Sequence, residues 1–287
     1  MRPDENSSYP LVAFVGVGNM AEAMVERAIA QGWPRDRLRL THRRPNRRAE
    51  LEKRFGCEVH ADNVAAVRGA DAIVLGVRPQ QYADLLNTLA SAFRPGQTFI
   101  SIAAALSLKW LHERLPAGVK VIRVTPPPTA LFGMGVALMS AGDDAGEAER
   151  RIAERLVRTA CERIQWLPDG LTDPTTGVAF GLTPFTCMLV STLIKAGIEQ
   201  GLEPEFARRL VMDGMWATAR MLHGGRITPE QVIETAATPD GLTWSSLHTM
   251  EAHGVQLGLR AGARAMTGRS YQLRGEEVPT EYQGFVI

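Results

Sequence analysis

The pattern of apolar and polar positions changes character near residue 168. Before it, short apolar runs alternate with stretches whose apolar residues recur at helical spacing, the arrangement of parallel strands joined by crossover helices. The runs predict strands at residues 11–15, 38–41, 58–60, 72–77, 98–102, 119–124, 135–139 and 163–167. Helices are predicted to begin near Asn19, Asn46, Asp62, Gln80 and Ser107, and another spans 145–160 after the turn Ala141-Gly142-Asp143-Asp144. From Leu171 onward strand signals vanish and helices are predicted over 173–201, 203–223, 229–236, 241–252 and 255–273. Gly201 with Pro204, Gly224-Gly225 and Pro239-Asp240-Gly241 mark the breaks. The expected organisation is an α/β domain over 1–168, an all-α domain over 169–275, and a polar, loosely held tail over 276–287.

One stretch tests the soluble reading. Residues 174–194 carry no charge, long enough to span a bilayer, but they are rich in glycine, proline and hydroxyls and have no basic flank. A helix in a core or a subunit interface is the better expectation, and no membrane partner is expected. Composition agrees, with 45% apolar residues, 22% charged residues and a net charge of +1 in 287 residues. A chain that binds nucleic acid by neutralising phosphates would carry a basic excess, so that partner class is excluded. Cys57, Cys161 and Cys187 form no zinc spacing and no disulfide framework. With a polar, acidic start in place of a signal peptide, a reducing cytoplasmic setting is expected.

Candidate chemistry begins at Gly16-Val17-Gly18-Asn19-Met20-Ala21, between a predicted strand and a predicted helix. This is the dinucleotide fingerprint G-x-G-x-x-A of a Rossmann domain in its required context. Gly16 permits the tight turn, Gly18 lets backbone approach a pyrophosphate, and Ala21 lets the helix pack closely, while the free amides of the helix start attract phosphate. The second strand ends in Thr41-His42-Arg43-Arg44, with none of the carboxylates that bond the adenosine ribose in NAD-specific proteins. Arg43 and Arg44 match a 2′-phosphate in charge and fork geometry, so NADPH is expected in preference to NADH. The alternative is that Arg43, Arg44, Arg47 and Arg48 only solvate a helix start.

From about Leu11 to Leu273 the chain resembles the pyrroline-5-carboxylate reductases. The nucleotide loop from Phe14 to Ala23 is similar to that family's almost letter for letter. The run Ala70 to Gln80 resembles its strand ending in Val-Lys-Pro-Gln, and Ser101-Ile102-Ala103-Ala104-Ala105 resembles its Ser-Ile-Ala-Ala-Gly. The resemblance implies that Val77, Arg78 and Pro79 lie along the nicotinamide side of the cofactor, that Asn63 touches its adenosine portion, and that Ala103 and Ala104 lie beneath the nicotinamide. Ala196 to Leu202 and Arg269-Ser270 also fall where the family has similar residues. It further implies a helical dimerisation domain, a homodimer or a higher oligomer of dimers, and an active site at the dimer seam.

Three motifs depart from the family. Its Arg-Val-Met-Pro-Asn-Thr-Pro-Ala is replaced by Arg123-Val124-Thr125-Pro126-Pro127-Pro128-Thr129-Ala130, without the amide side chain. Its Gly-Ser-Gly-Pro-Ala-Tyr is replaced by Gly181-Leu182-Thr183-Pro184-Phe185-Thr186, and its Ser-Pro-Gly-Gly-Thr-Thr by Thr238-Pro239-Asp240-Gly241-Leu242-Thr243, followed by Trp244. The amides of Gly241, Leu242 and Thr243 open a predicted helix and could receive a substrate carboxylate, and the Thr243 hydroxyl could bond an imine nitrogen. By resemblance Thr238, Gly241 and Leu242 belong to the substrate site and Thr243 is the catalytic side chain. Asp240 would repel an anionic substrate unless turned away as a helix cap; contact with a cationic substrate group is the alternative. Trp244 reads as a packing residue.

The resemblance therefore implies NADPH-dependent reduction of the C=N bond of L-1-pyrroline-5-carboxylate to L-proline. The altered motifs keep open a different cyclic imine or keto substrate. A nucleotide-binding protein without catalysis is the remaining class, and intact cofactor motifs together with Thr243 weigh against it.

Overall fold

The computed structural model describes residues 9–286. Its strands are β1 (Val12–Val15), β2 (Leu38–Thr41), β3 (Glu58–His60), β4 (Ala72–Leu75), β5 (Thr98–Ser101), β6 (Lys120–Thr125), β7 (Val136–Ala141) and β8 (Arg163–Trp166). They form one sheet in the order β3-β2-β1-β4-β5-β6-β7-β8. The intervening helices are α1 (Asn19–Ala30), α2 (Pro45–Phe55), α3 (Asn63–Val67), α4 (Tyr82–Leu89), α5 (Leu108–His112) and α6 (Glu147–Ala160).

Successive side chains of a strand point to opposite faces, and here both faces are covered. In β1, Val12 and Phe14 pack with Met24, Val25, Leu51, Leu156 and Val157 from α1, α2 and α6. Ala13 and Val15 pack on the other face with Val67, Leu86, Leu89 and Leu111 from α3, α4 and α5. That double burial is why β1 and β4 read as unbroken apolar runs.

The sheet is not wholly parallel. β6 and β7 are antiparallel, with Arg123 opposite Ser140, whereas β7 and β8 are parallel. A parallel crossover needs a dozen or more residues, usually including a helix. Between Thr125 and Val136 the chain has room only for the short 3-10 turn Pro128–Phe132, so it doubles back.

The remaining helices are α7 (Asp169–Thr175), α8 (Leu182–Glu199), α9 (Pro204–His223), α10 (Pro229–Ala236), α11 (Leu242–Ala252), α12 (Val255–Arg274) and α13 (Thr280–Gln283). A π-helical turn, Thr176–Phe180, separates α7 from α8. The chain divides into two compact units, one ending at Gly177 and resuming at Ala265, the other being Val178–Arg264.

The second unit has almost no apolar core of its own. Phe180 and Ala207 are buried, while Met188, Leu193, Leu210, Trp216 and Leu257 are exposed. Asp169–Glu199 is long and apolar enough to cross a membrane by length and composition, and little of its apolar window is buried. The expected uncharged helix is therefore present without being a core helix of the single chain.

The expected polar tail is exposed or half-buried over 276–286 and carries α13, which lies against α12, the Tyr271 and Tyr282 rings stacking with centroids 6.3 Å apart. The segment packs on the first unit because α12 presents a glycine there: a Cβ on Gly268 would collide with Val286.

Candidate active site

A cleft of about 540 Å³ opens at the C-terminal ends of β1, β2 and β4, lined by Gly16, Gly18, Arg43, Asn63, Val77 and Arg78 among others. This is where the strand order reverses direction from β1, the place where open α/β sheets bind ligands. Gly16 has φ +77°, and a Cβ on it would strike the Val77 side chain. Gly18 caps α1 without a side-chain hydrogen bond, which leaves the first-turn amides of Asn19, Met20 and Ala21 available to an anion. Ala21 is buried against the sheet, and a Cβ on Gly76 would come 2.7 Å from its methyl.

The glycine turn is pinned by a residue that the motif does not contain. The buried Thr41 hydroxyl accepts the Gly16 N–H at 3.0 Å, and the Thr41 carbonyl accepts the Val17 N–H at 3.1 Å. Below the end of β4, the buried Tyr82 hydroxyl donates to the Leu75 carbonyl at 2.7 Å, and burial raises its pKa so that it stays a neutral donor. Thr41, Gly76, Gln80, Gln81 and Asp84 also face or support the cleft. Thr41 was legible as the last residue of a strand, but its bond to Gly16 depends on strand pairing.

The four arginines after β2 separate by partner. Arg47 pairs with Glu22 and Glu50, and Arg48 donates to the carbonyls of His42 and Arg43 at 3.0 and 3.1 Å. The Arg43 and Arg44 guanidinium groups have no hydrogen-bond or ion-pair partner among the described residues. Arg43 lines the cleft, and Arg44 is the exposed cap of α2. Arg44 donates its N–H to His42 Nδ1 at 3.2 Å. Burial and the charges of Arg47, Arg44 and Arg43 push the His42 imidazole below its ordinary pKa against that hydrogen bond, so it is neutral at pH 7. Two uncommitted cations and one neutral ring thus stand together just after β2.

Pro79 begins a 3-10 turn directly after Arg78. Ala103 and Ala104 follow β5, which pairs with β4 so that Ser101 lies opposite Leu75. Ala103 is buried and Ala104 exposed. Ala105, where the family has glycine, takes φ +74°.

That turn is held by a buried charge network. Arg123, 1% exposed, donates to Asp169 Oδ1 at 2.8 Å and to Asp173 Oδ1 at 2.6 Å. Arg274 donates to Asp173 Oδ2 at 2.5 Å and to the Ala105 carbonyl at 2.6 Å. Asp169 accepts the Leu108 N–H at 2.8 Å. Two arginines and two aspartates therefore tie β6, α7 and the end of α12 to the turn after β5.

Thr238, Gly241, Leu242 and Thr243 lie together in the second unit, at the turn from α10 to α11. Gly241 caps α11 and donates its N–H to the Thr238 carbonyl at 2.9 Å. Leu242 and Thr243 are exposed, Leu242 by 93%. Asp240 does not serve as the helix cap: the cap is Gly241 without a side-chain bond, and Asp240 takes φ +60° with its carboxylate exposed. Asparagine and aspartate tolerate that left-handed conformation better than other side chains. Trp244 lies against His248 at 3.9 Å between centroids, and both line a small apolar pocket with Ile233 and Met250, so it packs within its own unit.

Residues 11–105 match the family described as NADP oxidoreductase, coenzyme F420-dependent, and residues 170–273 match the family described as pyrroline-5-carboxylate reductase dimerisation. The chain is 29% identical over 267 residues to the pyrroline-5-carboxylate reductase of Pseudomonas aeruginosa, covering 93% of this chain and 97% of that one. It is 29% identical over 267 residues to the Thermus thermophilus enzyme of the same name, covering 93% and 99%. Among solved structures, a Plasmodium falciparum pyrroline carboxylate reductase with NADP bound has TM-score 0.83 at 18% identity, covering 92% of this chain and 98% of that one. A Coxiella burnetii pyrroline-5-carboxylate reductase has TM-score 0.80 at 20% identity, covering 93% and 99%.

Proposed function

The chain belongs to the pyrroline-5-carboxylate reductases, NAD(P)-dependent oxidoreductases with a Rossmann domain and a helical dimerisation domain, and from that premise we propose that it uses NADPH to reduce the C=N bond of L-1-pyrroline-5-carboxylate to L-proline. The observation that carries the substrate assignment is the dimerisation-family match, which takes in the whole loop from Thr238 to Thr243.

The residues of the cleft fit the cofactor. The Gly16 turn has no room for a side chain, the first turn of α1 offers open amides, and the Arg43 and Arg44 guanidinium groups have no other partner among the described residues. In this reading Gly16, Gly18, Asn19, Met20 and Ala21 hold the pyrophosphate, Arg43 and Arg44 the 2′-phosphate, and Asn63 the adenosine portion. Val77, Arg78, Pro79, Ala103 and Ala104 position the nicotinamide. When bound, the cofactor supplies the hydride. The protein's part is positioning and proton management, and holding reactants at near-attack distance can supply most of the acceleration. Thr243 keeps the imine nitrogen hydrogen-bonded so that its carbon is electrophilic, while the amides of Gly241, Leu242 and Thr243, with Thr238 beside them, receive the carboxylate.

The apolar surface of Met188, Leu193, Leu210 and Trp216 suits burial against a second copy, so the assembly is proposed to be a homodimer or a set of dimers. A second reading, reduction of another cyclic imine or a keto compound, is favoured by Asp240, whose carboxylate is exposed at the mouth of the anion-binding turn. NADPH oxidation with pyrroline-5-carboxylate, run beside carboxylate-free cyclic imines and simple keto acids, tests the two against each other.

A further inference from the structure

Resting on the imine-reductase reading above, the geometry points to the C-terminal segment, through Phe285 and Val286, as a wall of the substrate pocket that sets the ring size the enzyme accepts. A cavity of about 420 Å³ adjoins the turn after β5, lined by Ala104, Ala105, Thr176, Arg269, Phe285 and Val286 among others. With the nicotinamide seated on Ala103 and Ala104, this cavity lies beside the ring that delivers hydride. Its lining is mostly apolar, and its one guanidinium, from Arg269, already donates to Gln272 at 2.6 Å, so the cavity suits the apolar ring of a small substrate. The Thr176 hydroxyl donates to the Thr172 carbonyl at 2.7 Å and so presents only lone pairs to an occupant.

The wall is built into the fold. Arg274, its side chain 3% exposed, bonds Asp173 and the Ala105 carbonyl and also bridges to Glu276 at 2.7 Å, fixing where the segment leaves α12. Tyr282 stacks on Tyr271, and Gln283 donates to the Val278 carbonyl at 2.9 Å. Gly268 lets Val286 approach α12 more closely than any side chain would permit, and a Cβ there would also come 3.1 Å from that of Tyr282. Phe285 and Val286 are thereby held against the cavity without belonging to either motif that carries the cofactor or the substrate loop.

The pocket wall predicts a selectivity, because one methylene in an apolar pocket is worth about 10- to 200-fold in kcat/KM. Steady-state rates would be measured with NADPH and two cyclic imine acids, the five-membered pyrroline carboxylate and its six-membered homologue, for the wild type, Phe285→Ala, Val286→Ala and Gly268→Ala. Gly268→Ala displaces the segment without altering a cavity residue. The expected result is a rise of about tenfold in the six- to five-membered ratio of kcat/KM in at least Phe285→Ala and Gly268→Ala. NADPH affinity and melting temperature should stay near wild type in Val286→Ala, which controls for misfolding. An unchanged ratio in all three variants of an active enzyme overturns the wall assignment and leaves the function standing. A wild type that reduces neither imine overturns the function, and the wall assignment falls with it.

Discussion

Replacing Arg123 with methionine removes one cation from the buried network that ties the turn after β5 to α7 and the end of α12. Asp173 keeps its bond from Arg274 at 2.5 Å, and Asp169 keeps the Leu108 N–H at 2.8 Å, so neither carboxylate is stranded without a donor. The cluster nevertheless changes from two cations and two anions to a net negative charge. Breaking a fully buried pair by removing one partner costs about 3–5 kcal/mol. Because the Asp169 side chain is 22% exposed and both aspartates retain one bond, we take about 2–3 kcal/mol as the expected loss. In a domain of this size each kcal/mol shifts the melting temperature by about 2–4 °C, so a drop of roughly 4–12 °C is expected. Urea denaturation followed by far-ultraviolet circular dichroism measures it, with an unchanged m-value indicating that the native state is intact. Arg123→Lys should recover only part, since an ammonium cannot reach both carboxylates as the guanidinium fork does. A loss below about 0.5 kcal/mol in Arg123→Met, the range of an ordinary surface substitution, would mean that the buried network does not hold the turn after β5.

Three further outcomes follow from the same geometry. Arg43→Ala with Arg44→Ala should weaken NADPH by about 10- to 100-fold, the worth of a lost charge-assisted bond, and NADH by less than about twofold; equal losses by calorimetry would remove the 2′-phosphate assignment. Thr243→Ala should lower kcat by about a hundredfold with NADPH affinity unchanged, and an unaffected rate would take it out of the mechanism. Burial pushes the Cys57 and Cys161 thiols up to about 11, so at pH 8 only about one in a thousand of either is thiolate; both should resist iodoacetamide until urea unfolds the protein, and rapid labelling of either in the native state would contradict their burial.

The strands were legible because the sheet is buried on both faces, which makes β1 and β4 apolar at every position and puts Phe99 and Ile100 at the centre of β5. The Gly16 turn was legible because only glycine meets its φ and its closeness to Val77. What stayed hidden depends on contacts between distant residues. The reversal of β7 follows from a connection too short for a crossover, which composition alone does not announce. Arg123 meets Asp173 across 50 positions, and Arg274 meets Asp173 across 101, so no local pattern betrays the network. The packed C-terminal segment was missed because its residues are polar on average, while its attachment rests on Gly268, Tyr271 and Arg274 in the preceding helix. Residue type leaves Asp240 open between a helix cap and a substrate contact, and the backbone reaches φ +60° one position too early for its side chain to cap α11.

The most direct test of the central claim is the oxidation of NADPH by the purified protein with L-1-pyrroline-5-carboxylate, compared with carboxylate-free cyclic imines and simple keto acids. Rapid turnover of pyrroline-5-carboxylate, with L-proline as product, is the expected result. No turnover of it, with another compound of the panel reduced instead, would contradict the assignment and mean that Asp240, Leu242 and the Pro126-Pro127-Pro128 run have rebuilt the pocket for a different substrate.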